Sequence, residues 1–260
     1  MGSKVKMIWQ ELITTDFDRI DRQTPVILPI AAIEQHGPHL PLATDRMIAE
    51  HFAGEVHRQL NDGVLVLPTV AVGYSEHHME FPGSLTLAHD VLLGVGEHYL
   101  LSAARHGFRN FLVLNAHGGN QGVCRVLLEK FGTAHPKCQI VTATWWRVAG
   151  EALIALNDSG PGGVGHAGEF ETSLMLHIAP ELVRMDECLP KANTSTYDWA
   201  ESDLVRAPRA EIFRTMKQMT EHGAYGDCSP SSAEKGEAIS GLVCQALCEI
   251  IRDLANGPQQ

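Results

Sequence analysis

The feature that most constrains this 260-residue chain is the alternation of short, continuously apolar runs with longer stretches of helical period. Residues 26–33 (VILPIAAI) and 64–72 (VLVLPTVAV) are apolar at nearly every position, as suits strands buried on both faces. Residues 45–60 lie between them and place Met47, Ile48, Phe52, Val56 and Leu60 at helical spacing. Residues 87–106 and 121–134 are again helical, and 110–114 and 139–144 read as a third and fourth strand. Strands joined through helices predict βαβ units, a mainly parallel sheet with right-handed crossovers, and helices on both faces. Pro68 demotes the second strand to an edge or a bulge, because it cannot donate to a ladder.

The second half is less regular. Residues 157–165 (NDSGPGGVG) form a loop whose glycines follow no period, 169–178 read as a buried helix, and 191–208 are polar and irregular. Residues 232–254 form an amphipathic helix with Ile239, Val243, Leu247, Ile250 and Leu254 on one stripe. No internal repeat, low-complexity tract or linker divides the chain, so a single α/β domain over residues 1–260 is expected.

Composition narrows the function classes. With 31 Asp and Glu against 20 Lys and Arg, the formal charge of −11 disfavours a nonspecific binder of nucleic-acid phosphates. No apolar run approaches the roughly 18 residues of a membrane span, and residues 1–4 lack the apolar stretch of a signal peptide. The six cysteines have no paired metal-type spacing; Cys244 and Cys248 fall inside the last helix as small core residues. A cytoplasmic globular protein with a small-molecule partner is expected, with no nucleic-acid or membrane role; a disulfide scaffold is excluded. Histidine, at 14 residues, is the outlier.

In a parallel α/β sheet, ligands bind beyond the carboxyl ends of the strands. Glu34-Gln35-His36-Gly37-Pro38-His39 follows the first strand, with Asp45 at the start of the next helix. Asn115-Ala116-His117-Gly118-Gly119-Asn120 follows the third, and His166-Ala167-Gly168-Glu169-Phe170-Glu171 follows the glycine loop. Glu34 and His36, two apart, share a face in extended backbone, and carboxylates with imidazoles make a nitrogen/oxygen ligand set for zinc, manganese or iron. Each residue has a plainer use: Asp45 could cap a helix, His117 could be a loop residue, and Glu169 and Glu171 could compensate a helix dipole. Three such clusters at one end of one sheet carry more weight than any single residue. His166 and Glu169 share a face if the segment is helical; Glu169 and Glu171 share one if it is extended. Ser75, His78 and Gly118, with His77 nearby, are weaker candidates for substrate contact. Trp145 and Trp146 follow the fourth strand, where core packing is the expected role and lining the pocket the alternative.

These motifs resemble the creatininase (creatinine amidohydrolase) family. The resemblance runs from Glu34-Gln35-His36-Gly37-Pro38-His39-Leu40-Pro41 and Thr44-Asp45 through Gly73-Tyr74-Ser75, Phe81-Pro82-Gly83-Ser84-Leu85 and Arg105-His106-Gly107-Phe108. It continues through the segments at His117 and His166 to Gly226-Asp227 and Ala233-Glu234-Lys235-Gly236, nearly the whole chain. It implies a creatininase-like α/β domain holding two divalent metal ions, zinc first and manganese or iron as alternatives, and a homo-oligomer, a hexamer in many members. By position, Glu34 and His117 would hold one metal and His36 the other, with Asp45 bridging both and a hydroxide between them as nucleophile. His166 would shuttle a proton to or from the substrate.

The chain departs from creatininase itself. That enzyme has a second-metal glutamate two residues after the histidine matching His117, where this chain has Gly119; Glu169, apolar there, is expected to complete the second metal's shell, with Glu171 as the alternative. Creatininase also has a tryptophan–acid pair shortly before the histidine matching His166, where this chain reads Gly162-Gly163-Val164-Gly165, and an aromatic where it has Gly118. A family member other than creatininase is therefore expected, hydrolysing a C–N bond in an amide, cyclic amide or formamide. The alternatives are a C–C hydrolase opening a cyclic polyol ketone, with His77, His78 and Glu80 supplying a polar pocket, and a metal-binding protein without catalysis.

Overall fold

The computed structural model describes residues 7–257 apart from 62, 190, 192 and 195; the N-terminal residues 1–4 considered above lie outside the described residues. Among the described residues four strands, β1 (Val26–Ile30), β2 (Leu65–Val66), β3 (Asn110–Asn115) and β4 (Gln139–Thr144), form one sheet in the order β2-β1-β3-β4. Every pairing is parallel, and the register sets Ile30 beside Asn115 and Asn115 beside Thr144. The carboxyl ends of β1, β3 and β4 are therefore level, and the residues that follow them emerge side by side.

Among the described residues, eight α-helices surround the sheet: α1 (Thr44–Gln59), α2 (His89–Arg105), α3 (Gln121–Ala134), the short α4 (Trp145–Val148) and α5 (Gly150–Ile154), α6 (Glu169–Ile178), α7 (Met216–Met219) and α8 (Ala233–Asn256). On one face α1, α6 and α8 close over Ile27, Leu112 and Leu114 with Phe52, Trp145, Phe170 and Leu247. On the other, α2 and α3 bury Leu28, Ile30, Phe111 and Val113 against Leu100, Leu127 and Phe131. A central strand packed on both sides has no polar face, which is why β1 and the interior of β3, 111–114, are apolar. Each fully buried aliphatic side chain there is worth about 1.5–3 kcal/mol. The expected single α/β fold with a parallel sheet covered on both faces is the one observed.

Differences are local. The second strand shortens to Leu65–Val66 at the sheet edge, just before Pro68, with one further bridge from Ile30 to Val70. Cys244 and Cys248 lie in the core as expected. Cys188 and Cys228, 40 residues apart, are joined in a disulfide that no spacing announced. Among the described residues no helix is long and apolar enough to cross a membrane.

Candidate metal centre

The level strand ends bring Glu34, His36, Asp45, His117, His166 and Glu171 together. Asn115 shapes the exit of β3: its Oδ1 accepts from His117 N–H (3.1 Å) and its Nδ2 donates to His117 O (2.8 Å). The buried Asn120 ties three segments, accepting from Tyr74 N–H (3.0 Å) and donating to Ala31 O (3.0 Å). Asp45 lies in the first turn of α1, yet no side chain caps that helix. Its buried carboxylate turns inward: Oδ1 is 3.1 Å from His36 Nε2 and Oδ2 is 3.1 Å from His117 Nδ1. The capping role is thus not the one Asp45 has.

Among the described residues, three groups of potential ligand atoms each lie within 4.8 Å of one another: Glu34, Asp45 and His117; His36, Asp45 and Glu171; and Glu34, His36 and His166. Asp45 belongs to the first two. His117 Nε2 is 3.2 Å from Glu34 Oε2, and His36 Nε2 is 3.9 Å from Glu171 Oε2. Both oxygens of Glu34 and Oδ2 of Asp45 are buried with no hydrogen-bond partner. Carboxylate oxygens withdrawn from water, with only imidazole nitrogens at 3.1–3.3 Å beside them, are costly unless a cation compensates them. The donor set and its orphaned oxygens fit divalent ions.

The electrostatics follow from burial and crowding. Burial alone would depress His36, but Asp45 beside it, with Glu171 and Glu34, overrides this and raises its pKa to about 9. His117 is likewise held well above the ordinary value, the carboxylates of Glu34 and Asp45 outweighing burial. Burial pushes Glu171 up to about 7, with Asp45 adding to the shift against the pull of His36. His166 is held low by burial and by His36.

Glu169 stands elsewhere. Its carboxylate accepts from Asp158 N–H (3.1 Å), Ser159 N–H (2.9 Å) and Ser159 Oγ–H (2.5 Å), and pairs with Lys235. The reason is phase: α6 begins at Glu169, and Ala167 just before it has a left-handed φ of 55°. That turn points Glu169 at the glycine loop and brings Glu171 back toward His36, where Oε2 also accepts from Ala167 N–H (2.6 Å). The carboxylate beside His36 and Asp45 is therefore Glu171 rather than Glu169. Gly119 explains why none comes from position 119: a Cβ there would lie 2.2 Å from Tyr74 O and 2.5 Å from His117 Nε2.

The glycine loop gains its meaning from packing. A Cβ on Gly165 would lie 1.8 Å from Tyr225 O, so backbone crosses backbone directly behind His166, and Tyr225 N–H donates to His166 O (2.7 Å).

A cavity of about 530 Å³ opens over the cluster, lined by Asp45, His78, His117, Gly118, His166 and Glu171 at its floor. His77, Trp146, Arg147, Leu204, Arg206 and Phe213 contribute to its walls. Gly118 is thus at the cavity, with open space where a side chain would be. Ser75 is fully buried and not part of the lining. Trp145 packs in the core against Phe52, whereas Trp146 reaches the cavity. Five of the 14 histidines gather here rather than three: the His77 ring stacks over His117 (5.7 Å), and that of His78 lies 4.6 Å from His166. Gln35, unremarked as a functional residue, bonds both to His78 and around His166.

Comparison with known proteins agrees with this architecture. The family model described as creatinine amidohydrolase matches residues 7–251. The chain is 33% identical over 223 residues to a mycofactocin precursor peptide peptidase of Mycolicibacterium smegmatis, covering 82% of this chain and 78% of that one. It is 28% identical over 244 residues to a creatinine amidohydrolase of Pseudomonas putida, covering 88% of each. A 3-dehydro-scyllo-inosose hydrolase of Thermotoga maritima is 25% identical over 173 residues, covering 65% of this chain and 55% of that one. Among solved structures, a manganese form of creatininase superposes with a TM-score of 0.80 at 25% identity, covering 96% of this chain and 98% of that one. A creatininase variant of zinc–zinc type gives 0.80 at 26% identity with the same coverage. The chain belongs to the creatininase family, as a member other than creatininase itself.

Proposed function

We propose that the protein is a metal-dependent hydrolase of a C–N bond in a small amide, using two divalent ions. The observation that carries this reading is the set of buried, hydrogen-bond-deficient oxygens of Glu34 and Asp45 facing His117 and His36 beneath an open cavity. Glu34, Asp45 and His117 would hold one ion; His36, Asp45 and Glu171 would hold the other, Asp45 being shared. Bound there, zinc or manganese supplies Lewis-acid polarisation of a carbonyl and a lowered pKa for water.

The chain's own groups do the rest. The cavity admits a substrate whose carbonyl meets the cluster, with Trp146 and Leu204 against its apolar part. His166 Nδ1, 3.7 Å from Glu34 Oε1, faces the cluster. It accepts a proton from the attacking water and delivers it to the leaving nitrogen as the C–N bond breaks, giving a carboxylic acid and an amine. Creatinine is expected to be a poor substrate, because position 118 carries no side chain and the Gly162–Gly165 stretch offers neither an aromatic nor an acid. Cleavage of a cyclic polyol ketone is the second reading, supported by the Thermotoga maritima relative and by His77 in the cavity wall.

The test is metal analysis of the purified protein, followed by a panel of linear amides, lactams, formamides and cyclitol ketones with and without chelator. Chelator-sensitive turnover of an amide, with little on creatinine, is the expected result. Turnover confined to the cyclitol ketones would favour the second reading, and full metal occupancy with no turnover would mark a metal-binding protein.

A further inference from the structure

We propose that Gln35 is a positioning residue that fixes which end of His78 and which end of His166 carries a proton, so that His78 offers Glu34 an N–H while His166 offers the same carboxylate a bare nitrogen. Two backbone groups determine the orientation of the Gln35 amide. Gly37 N–H donates to Gln35 Oε1 (3.0 Å), and Gln35 Nε2 donates to Gly223 O (3.0 Å). Rotating the amide by half a turn would set a donor against Gly37 N–H and an oxygen against Gly223 O. Both contacts would then be lost.

One N–H of the amide remains, and His78 Nδ1 is 2.9 Å away. That nitrogen must accept, so the His78 proton is on Nε2, 3.3 Å from Glu34 Oε1. His166 is fixed by a different atom of the same residue. Its Nε2 is 2.7 Å from the backbone carbonyl of Gln35, a group that can only accept, so Nε2 carries the proton. The 3.2 Å separation between Gln35 Nε2 and His166 Nε2 then joins two donors and is not a bond. His166 Nδ1 is left bare, 3.7 Å from Glu34 Oε1 and on the side of the cluster.

The two rings are thus the same tautomer presented from opposite ends. His78 reaches the cavity floor, but with Nδ1 bonded to Gln35 and Nε2 3.3 Å from Glu34 Oε1 its role is to steady Glu34 rather than to hold substrate. An N–H turned toward a carboxylate that would hold a metal helps orient it, and loss of such a neighbour costs about 10–100-fold in metal affinity. The effect on metal affinity rests on the proposed metal centre; the tautomers themselves do not.

The test uses long-range proton–nitrogen NMR correlations of the histidine rings in the chelator-stripped protein, then zinc titration of the same samples. The wild type is expected to show His78 and His166 both protonated on Nε2. Gln35→Glu presents an acceptor to His78 Nδ1 and should move the His78 proton to Nδ1, leave His166 unchanged, and weaken zinc binding about 10–100-fold. Gln35→Met, without any polar atom, should leave His78 a mixture of tautomers and checks that the flip comes from the acceptor and not from loss of packing. A wild-type His78 protonated on Nδ1, or a Gln35→Glu protein with His78 unchanged, overturns the proposal. A flipped tautomer with no zinc bound by either protein would keep the proposal and remove the metal centre, so the two failures are distinguishable.

Discussion

Glu169 and Glu171 differ by two positions and by everything around them. Glu171 contacts the groups of the cluster, whereas Glu169 is bound to Lys235 and to the turn at Asp158–Ser159. Glu171→Gln should lower bound metal from about two ions per chain to about one, read by elemental analysis. Glu169→Gln should keep both ions while costing about 1–3 kcal/mol, because it weakens a buried charged pair, and thermal unfolding would show the difference. Equal metal loss in the two variants would contradict the assignment. The motif Glu34-Gln35-His36 was legible from spacing alone, since β-phase puts its first and third residues on one side. The choice between Glu169 and Glu171 was not. It depends on whether the chain enters α6 through a left-handed Ala167, and alanine carries no mark of that conformation. The position of His78 was hidden for a similar reason: its partners Gln35 and Glu34 lie more than 40 residues away.

Among the elements, strands β1, β3 and β4 and helices α1, α2, α3, α6 and α8 were readable because each buries a periodic or continuous apolar face. The glycine loop was not, for its spacing answers to Tyr225 and Gly226, some 60 residues on, and not to any local period. Gly165→Ala puts a methyl carbon where Tyr225 O now lies; it should displace the His166 loop and destabilise the fold by about 1–3 kcal/mol or more. Chemical denaturation against the wild type checks this, and an unchanged midpoint would contradict the packing described. The short β2 shows the opposite case. A single proline, Pro68, pointed to an edge or a bulge, and β2 lies at the edge, where a missing N–H costs least.

For the whole molecule, the cluster is expected to couple stability to pH and, on the proposed function, to metal. His36 has a folded-state value of about 9 against an ordinary 6.5. Its contribution to the metal-free protein is therefore complete below about pH 6.5 and is lost as pH rises through 9. His117, also raised, acts in the same sense. The thermal midpoint of the metal-free protein should fall between pH 6.5 and 9. The metal-loaded protein, whose ligand imidazoles must be deprotonated, should show no such fall. A flat metal-free profile would contradict the charge state described here. Hydrolysis measured while metal is returned to the stripped protein bears most directly on the proposed chemistry. Amide cleavage should be absent without metal, rise as zinc or manganese is added, and level off near two equivalents per chain. Cleavage that survives complete stripping would contradict a metal-dependent hydrolase.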